Sequence, residues 1–373
     1  KEVVRIRKIG SINLLELYHG PTLAFKDIAM QVIGNMYDQL KVAEKKTVNV
    51  VVATSGDTGS AAISALNNRK NINLFVLHPH NKISNVQRKI MTTIGSNNIF
   101  NIAIEGSFDD CQRIVKDLFN ENDFREKINM SGVNSINWAR IICQIVYYFY
   151  TYFYIGKEKI SFSVPTGNFG DVYAGYVAKK MGLPIDKLIV ATNENNILQR
   201  VINTGEYKPD KVKPSLSPSM DIQVSSNFER LLFYILNEDD QKVASLMKNL
   251  KDKGSFKLNK EEIREIKKDF KAEKISDSET LSIIKEIYDK EKFIIDPHTA
   301  TAFGAINKVG EVKDTVVLGT AHPYKFLETV KKATGEKVEA PHQLEKFMEK
   351  DEKFDIVENN NEKIKKYILN KIQ

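Results

Sequence analysis

The sequence predicts an α/β protein of two lobes, each a mostly parallel sheet flanked by helices, with a helical insertion. Three observations carry that prediction: short apolar runs alternate with helical periods, glycine-bearing loops join strand to helix, and a charged, lysine-rich stretch interrupts the pattern. The length agrees, since 373 residues with 42% hydrophobic content suffice for two cores.

From Thr47, the run TVNVVVATSGDTGSAAISAL reads as a buried strand, a Gly/Ser/Thr loop and a helix opening on small residues. A second strand is expected from Ile72 to Leu77, ended by His78-Pro79, with SNVQRKIMTTI as its helix. A third, Asn101 to Ile104, precedes the acidic helix start FDDCQRIVKDLF. Residues 47–148 therefore read as the smaller α/β lobe. Ile142, Ile145, Val146, Phe149 and Phe153 fall at helical spacing and are expected to form the inward stripe of a long helix, with the tyrosines around them as core packing. ISFSVPTGNFGDVYAGYVAKKMGL and LIVATN then begin a second lobe, assigned to residues 149–202 and 292–373. The proline-rich KPSLSPSMD is an irregular connector within a helical insertion at 203–291. IIDPHTATAFGAI and TVVLGTAHPYKF restore strand and helix signals, and the tail after Glu339 is polar and helical. Residues 1–46 form a leading segment of the larger lobe.

The composition excludes several classes. The formal charge of +7, from 55 basic and 48 acidic side chains, is spread along the chain with no arginine-rich block, which argues against nucleic-acid binding. The most apolar run, Ile141 to Ile155, falls short of the ~20 residues that span a bilayer. Cys111 and Cys143 are too few for a disulfide framework and lack metal-ligand spacing, so a reducing compartment, the cytosol, is expected and no metal. No initiator Met or leader pattern is present, so Lys1 is expected to lie inside a longer polypeptide.

Chemistry concentrates in five segments. In His19-Gly20-Pro21-Thr22-Leu23-Ala24-Phe25-Lys26-Asp27 a lysine sits where a turn becomes a helix, with an apolar wall at Leu23 and Phe25 expected to favour its neutral, nucleophilic form. Gly167-Asn168-Phe169-Gly170-Asp171 follows an apolar strand and opens a helix. Its N–H groups can converge on an anion, although a tight strand-to-helix turn explains the local pattern equally well. Ser55-Gly56-Asp57-Thr58-Gly59 reads as a helix cap, an anion site, or both. The strand VVLGT ends at Thr320, followed by His322-Pro323, which shape a turn. Asn134-Ser135-Ile136-Asn137-Trp138-Ala139-Arg140 puts polar groups and a guanidinium fork at the start of an apolar helix, suited to a phosphate or to an ordinary salt bridge.

These segments, in this order, resemble the threonine synthases of the tryptophan-synthase-like, fold-type II group of pyridoxal-phosphate enzymes, over about Leu15 to Phe326. The long bacterial and fungal type is the nearest in pattern. It carries an N-terminal segment ahead of the lysine region, and Asp57 stands where other branches of the group have asparagine. The resemblance implies that Lys26 is the catalytic Schiff-base lysine, with pyridoxal 5'-phosphate also held by Asp57, by Gly167, Asn168, Phe169 and Gly170 at its phosphate, and by Thr320 at its ring nitrogen. It implies O-phospho-L-homoserine as the small-molecule partner, bound by Ser55, Thr58, Lys82, Ser84, Ser135, Asn137 and Arg140, and threonine and phosphate as products. A monomer or homodimer is expected. His19 is expected near the substrate, ranked below Lys26, and His298 in Asp296-Pro297-His298-Thr299 is expected to be structural. The alternatives are a related phospho-lyase that eliminates without hydration, and a non-catalytic pyridoxal-phosphate carrier.

Overall fold

The computed structural model describes residues 3–44, 46–310 and 312–372. The chain forms two compact units: Lys1–His19 with Ile141–Val338, and Gly20–Arg140 with Glu339–Gln373.

The second unit is built on a five-stranded parallel sheet in the order Asp355–Glu358, Ile99–Glu105, Ile72–Pro79, Val48–Ala53, Met130–Ser131. Its three central strands are largely apolar because both faces are covered there. Val50, Val52, Leu74 and Val76 pack against Met30 and Ile33 of the helix Lys26–Glu44 and Ala61 and Ile63 of the helix Asp57–Leu66. The alternate residues Val51, Phe75, Leu77, Ile102 and Ile104 face Ile114 and Leu118 of the helix Phe108–Asn120 and Ile364 and Ile368 of the helix Asn361–Ile372.

The first unit holds a six-stranded sheet in the order Arg5–Ile9, Ile12–Glu16, Thr315–Gly319, Ile160–Pro165, Ile185–Thr192, Phe270–Lys274. The first two strands form an antiparallel hairpin and every other pairing is parallel. Gly10, at φ +57, makes the hairpin turn. Leu14, Ile189 and Val317 pack under the helices Asp277–Glu291 and Pro297–Val309 through Ile284, Ala300 and Phe303.

Four expectations need correction. The segment 203–291 is more than a helical insertion, because Phe270–Lys274 pairs in parallel with Ile185–Thr192 and so belongs to the main sheet. The tail after Glu339 contains the strand Asp355–Glu358 and lies in the unit of Gly20–Arg140, where Ile364 and Ile368 complete the sheet's cover; it is not part of a 292–373 lobe. The leading segment 1–46 is likewise divided, with Lys26 in the second unit. The long helix, Trp138–Ile155, buries Ile141, Gln144, Ile145, Tyr148 and Thr151, while Ile142, Val146 and Phe153 are exposed, Phe153 by 73%. That helix is apolar on every side, so its periodicity could not select the inner stripe. The Tyr148 hydroxyl bonded to the Asp171 carboxylate at 3.0 Å and to its carbonyl at 2.9 Å marks the side that is buried. Of its tyrosines, Tyr147 and Tyr148 are core, whereas Tyr150 and Tyr154 face outward.

Among the described residues no helix is long and apolar enough to cross a membrane, and no group of metal-ligating side chains occurs. In parallel sheets the loops that leave the carboxyl ends of the strands are the ones that gather ligands. The expected site residues fall on those loops, or in the first turn of the helices that the loops lead into, in each unit.

Candidate active site

Lys26 is the first residue of the helix Lys26–Glu44, which runs back along the sheet to feed the strand Val48–Ala53, so its amino end lies at the sheet's carboxyl edge. The turn ahead of it is set by Asp27. The buried Asp27 carboxylate accepts from the Thr22 N–H at 2.8 Å, the Thr22 hydroxyl at 2.6 Å and the Ala24 N–H at 3.5 Å. These bonds hold Leu23 in the left-handed region at φ +58, which costs a non-glycine residue roughly 1–3 kcal/mol. A Cβ on Gly20 would come within 2.5 Å of Asp27, so the turn also requires glycine there. Lys26 is left with a side chain only 13% exposed, its Nζ 4.6 Å from the centre of the Phe25 ring and 3.4 Å from Asp57 Oδ2. An anion and a π face both stabilise positive charge. The neighbourhood thus pairs the expected apolar wall with an anion, where sequence leads one to expect cationic or helix-terminal groups.

Asp57 opens the helix Asp57–Leu66 and is buried. The capping expectation for Ser55, Asp57 and Thr58 is not met: Gly56, at φ +138, is the cap position and no side chain caps the helix from it. Thr54 does the local work, its hydroxyl oxygen accepting from the N–H groups of Gly56 at 3.0 Å and Gly59 at 2.9 Å. Asp57 Oδ1 accepts instead from Gln87 Nε2 at 3.0 Å.

The remaining second-unit residues lie on loops of the same edge. His80 to Ser84 follow the strand Ile72–Pro79, and Gly132 to Asn137 follow Met130–Ser131. Lys82 is exposed, and Ser84 is the cap of the helix Asn85–Thr92, accepting from Gln87 N–H at 3.3 Å. Asn137 folds its own loop, donating to the Gly132 carbonyl at 3.0 Å and accepting from Ala139 N–H at 2.9 Å. Arg140 is buried, and its Nη1 donates to the Val133 carbonyl at 3.2 Å. Ser135 is half-buried on that loop.

In the first unit the glycine loop follows the strand Ile160–Pro165 and opens the helix Gly170–Lys180. Gly167 O accepts from the Ser225 hydroxyl at 2.9 Å, Asn168 O from Asn227 Nδ2 at 3.0 Å, and Phe169 O from Tyr173 N–H at 3.0 Å. In a trans peptide the N–H points opposite to the preceding carbonyl. The N–H groups of Asn168, Phe169 and Gly170 are therefore turned away from these partners, at the amino end of a helix where an anion is stabilised. Phe169, at φ +62, contributes backbone only, because its ring is buried against Phe228 and Phe270. Thr320 is buried at the end of the neighbouring parallel strand, Thr315–Gly319.

The histidines of this unit have defined partners. His19 Nε2 lies 2.7 Å from Glu16 Oε2, and Glu16 Oε1 accepts from Arg7 Nε at 2.7 Å. Burial pushes the Glu16 carboxyl up, but the bonds from His19 and Arg7 outweigh it and hold the group below the usual carboxylate range. His298 Nδ1 meets Asp296 at 2.9 Å while its Nε2 accepts from Ser219 N–H at 3.2 Å, an arrangement that consumes both ring nitrogens in structure. His322 accepts from Tyr324 N–H through Nδ1 at 3.2 Å, and burial pushes it down to about 4.

A family profile of pyridoxal-phosphate dependent enzymes matches residues 8–320, and one of the threonine synthase C-terminal region matches 299–368. The threonine synthase of Pseudomonas aeruginosa is 46% identical over 96% of this chain and 78% of its own length, and that of Saccharomyces cerevisiae is 44% identical over 93% and 75%. The chain belongs to the threonine synthase family. Among solved structures, pyridoxal-phosphate-bound threonine synthase from Brucella melitensis superposes with a TM-score of 0.94 at 43% identity, covering 99% of this chain and 80% of that one. Yeast threonine synthase gives 0.91 at 41%, covering 100% and 81%. The chain is thus a pyridoxal-phosphate-dependent enzyme of a lyase family, with the fold-type II architecture. Each unit holds groups whose chemistry suits part of the cofactor: in one a shielded lysine amine lies beside a carboxylate, and in the other a glycine loop has N–H groups at a helix start.

Sequence reasoning missed three contributors in this threonine synthase family member. Asp27 shapes the lysine turn, Gln87 reaches Asp57, and the segment Ser219 to Asn227 backs the glycine loop. A Cβ on Gly167 would lie 3.0 Å from Ser219 O and 3.1 Å from Met220 Cα, so the connector reads as the wall of that loop. Its four serines and closing asparagine, SPSMDIQVSSN, are the available signal. An open polar depression at the opposite, amino edge of the five-stranded sheet includes Asn49, Asn73, Asn98 and Asn129. Those amides bond to Ile128 O, Asn49 Oδ1, Leu66 O and Thr47 O, so they tie strand starts together.

Proposed function

We propose that this enzyme converts O-phospho-L-homoserine and water to L-threonine and phosphate, with Lys26 holding the cofactor. The observation that carries the reading is the shielded Lys26 amine paired with Asp57 at the same sheet edge from which the loop and helix start holding Ser135, Asn137 and Arg140 depart. When bound, pyridoxal phosphate supplies an electron sink for the pair left as a substrate carbon loses its proton.

The rest of the chemistry belongs to the chain. The Lys26 amine moves one proton at a time, from Cα and from Cβ, giving each up before it takes the next; phosphate departs from Cγ, the hydroxyl of water adds at Cβ while its proton goes to the departing phosphate, and the two protons removed are returned at Cγ and Cα. The Arg140 guanidinium, with Ser135, Asn137, Lys82 and Ser84, would hold the substrate phosphate and stabilise its charge as it leaves, the largest protein contribution expected of such a site. Ser55 and Thr58 would hold the substrate carboxylate, the N–H groups of Gly167 to Gly170 the cofactor phosphate, and Thr320 the ring nitrogen. A hydroxyl there, unlike a carboxylate, leaves that nitrogen largely unprotonated and moderates the sink. Cys111 and Cys143 are free thiols, which suits the cytosol, where we place the enzyme.

The experiment is to add O-phospho-L-homoserine and measure phosphate and threonine together. Equal amounts are expected. Phosphate without threonine would make the protein a phospho-lyase, and neither product would make it a carrier.

A further inference from the structure

We propose that Gln87 is a positioning residue for the reaction, acting through Asp57; this rests on the reading that Lys26 carries the cofactor. Gln87 is buried, and its Nε2 donates to Asp57 Oδ1 at 3.0 Å while Lys26 Nζ lies 3.4 Å from Oδ2. Each carboxylate oxygen therefore has its own donor, and the carboxylate plane is fixed. The amide is itself oriented. The Asp57 carboxylate only accepts, so the NH₂ end must face it, which leaves Gln87 Oε1 to accept from the Ser84 hydroxyl at 3.0 Å. A Cβ on Gly56 would stand 2.7 Å from that amide, so the side chain fills the space beneath the φ +138 turn that presents Asp57.

The helix that carries Gln87 is anchored from the far end of the chain. Arg88 grips Glu352 with Nε to Oε2 at 2.8 Å and Nη2 to Oε1 at 3.1 Å. The Thr92 hydroxyl adds a bond to Glu352 at 2.9 Å, and Lys353 N–H donates to the Thr92 carbonyl at 2.7 Å. A chain of bonds thus runs from the C-terminal segment through the helix Asn85–Thr92 and Gln87 to the carboxylate beside the lysine. Without the Gln87 donor, Asp57 loses a charge-assisted bond and its rotational restraint, and the amine it faces loses a fixed partner.

The test is a double-mutant cycle on the holoenzyme, read as the dissociation constant and absorbance maximum of bound pyridoxal phosphate. Gln87→Met should weaken retention roughly ten-fold and move the absorbance maximum, as expected for losing a bond to a charged group. In an Asp57→Ala background the same change should do nothing further. Equal losses in both backgrounds would overturn the proposal. The melting temperatures of the cofactor-free proteins report folding. If Gln87→Met does not fold, the isosteric Gln87→Glu serves: it should weaken retention only where Asp57 is present, and equal weakening in both backgrounds overturns the proposal. A Lys26→Ala protein that keeps the cofactor absorbance would instead defeat the underlying reading. Dependence on Lys26 with an additive cycle would defeat the role of Gln87 alone.

Discussion

Lys26 Nζ lies 3.4 Å from Asp57 Oδ2, and both residues are the first of their helices. The pairing follows from topology. One helix ends where the strand Val48–Ala53 begins and the other starts where that strand finishes, so both present their first residue at the same edge of one sheet. Thirty-one positions of sequence separate the pair, yet a single strand suffices to join them.

Asp27 should matter to stability more than to chemistry. Asp27→Ala removes the carboxylate that accepts from the Thr22 N–H and hydroxyl in a buried turn, and losing a hydrogen bond to a charged group costs about 1.5–3 kcal/mol. Chemical denaturation of the cofactor-free protein should show a loss of that order. Asp27→Asn, which keeps an acceptor, should lose less, and equal losses would show that the turn does not depend on these bonds.

Arg140→Lys keeps the charge but removes the planar fork and the bond to the Val133 carbonyl. The expected result is a fall in kcat/KM for O-phospho-L-homoserine of roughly 10²-fold, the scale for losing one donor to a developing charge. Cofactor absorbance should be unchanged. Near-normal kcat/KM would remove Arg140 from the phosphate site.

His78 gives a pH prediction. It is buried, neither ring nitrogen has a hydrogen-bond partner in the structure, and burial pushes its pKa down from 6.5 to about 4. Between those two values the unfolded chain binds the proton and the folded chain does not, so stability must fall as pH drops from about 6.5 to about 4. The loss attributable to this residue is at most about 3 kcal/mol. His78→Leu should flatten the slope of stability against pH in that window; an unchanged slope would assign it to other groups.

The extent to which this protein is legible from sequence follows from where its constraints lie. The strands Val48–Ala53 and Ile72–Pro79 were plain because burial on both faces demands unbroken apolar runs. Phe270–Lys274 was hidden because FKAEK, at a sheet edge, carries little apolar signal, and Asp355–Glu358 for the same reason. In the helix Trp138–Ile155 the opposite holds: excess hydrophobicity erased the period, and the buried stripe was misplaced. Lys26, Asp57 and the glycine loop are singled out by the resemblance of their segments to those of the threonine synthases, because the local pattern alone fits a plain turn or cap equally well. Gln87 could not, since its meaning lies in an amide directed at a carboxylate thirty residues away.

The most direct measurement is to reduce the holoenzyme with borohydride, digest it and locate the pyridoxyl group by mass spectrometry. The account predicts a single modified lysine at position 26, with no stable adduct and no turnover in Lys26→Ala. A pyridoxyl group on any other lysine, or turnover surviving in that variant, would contradict it.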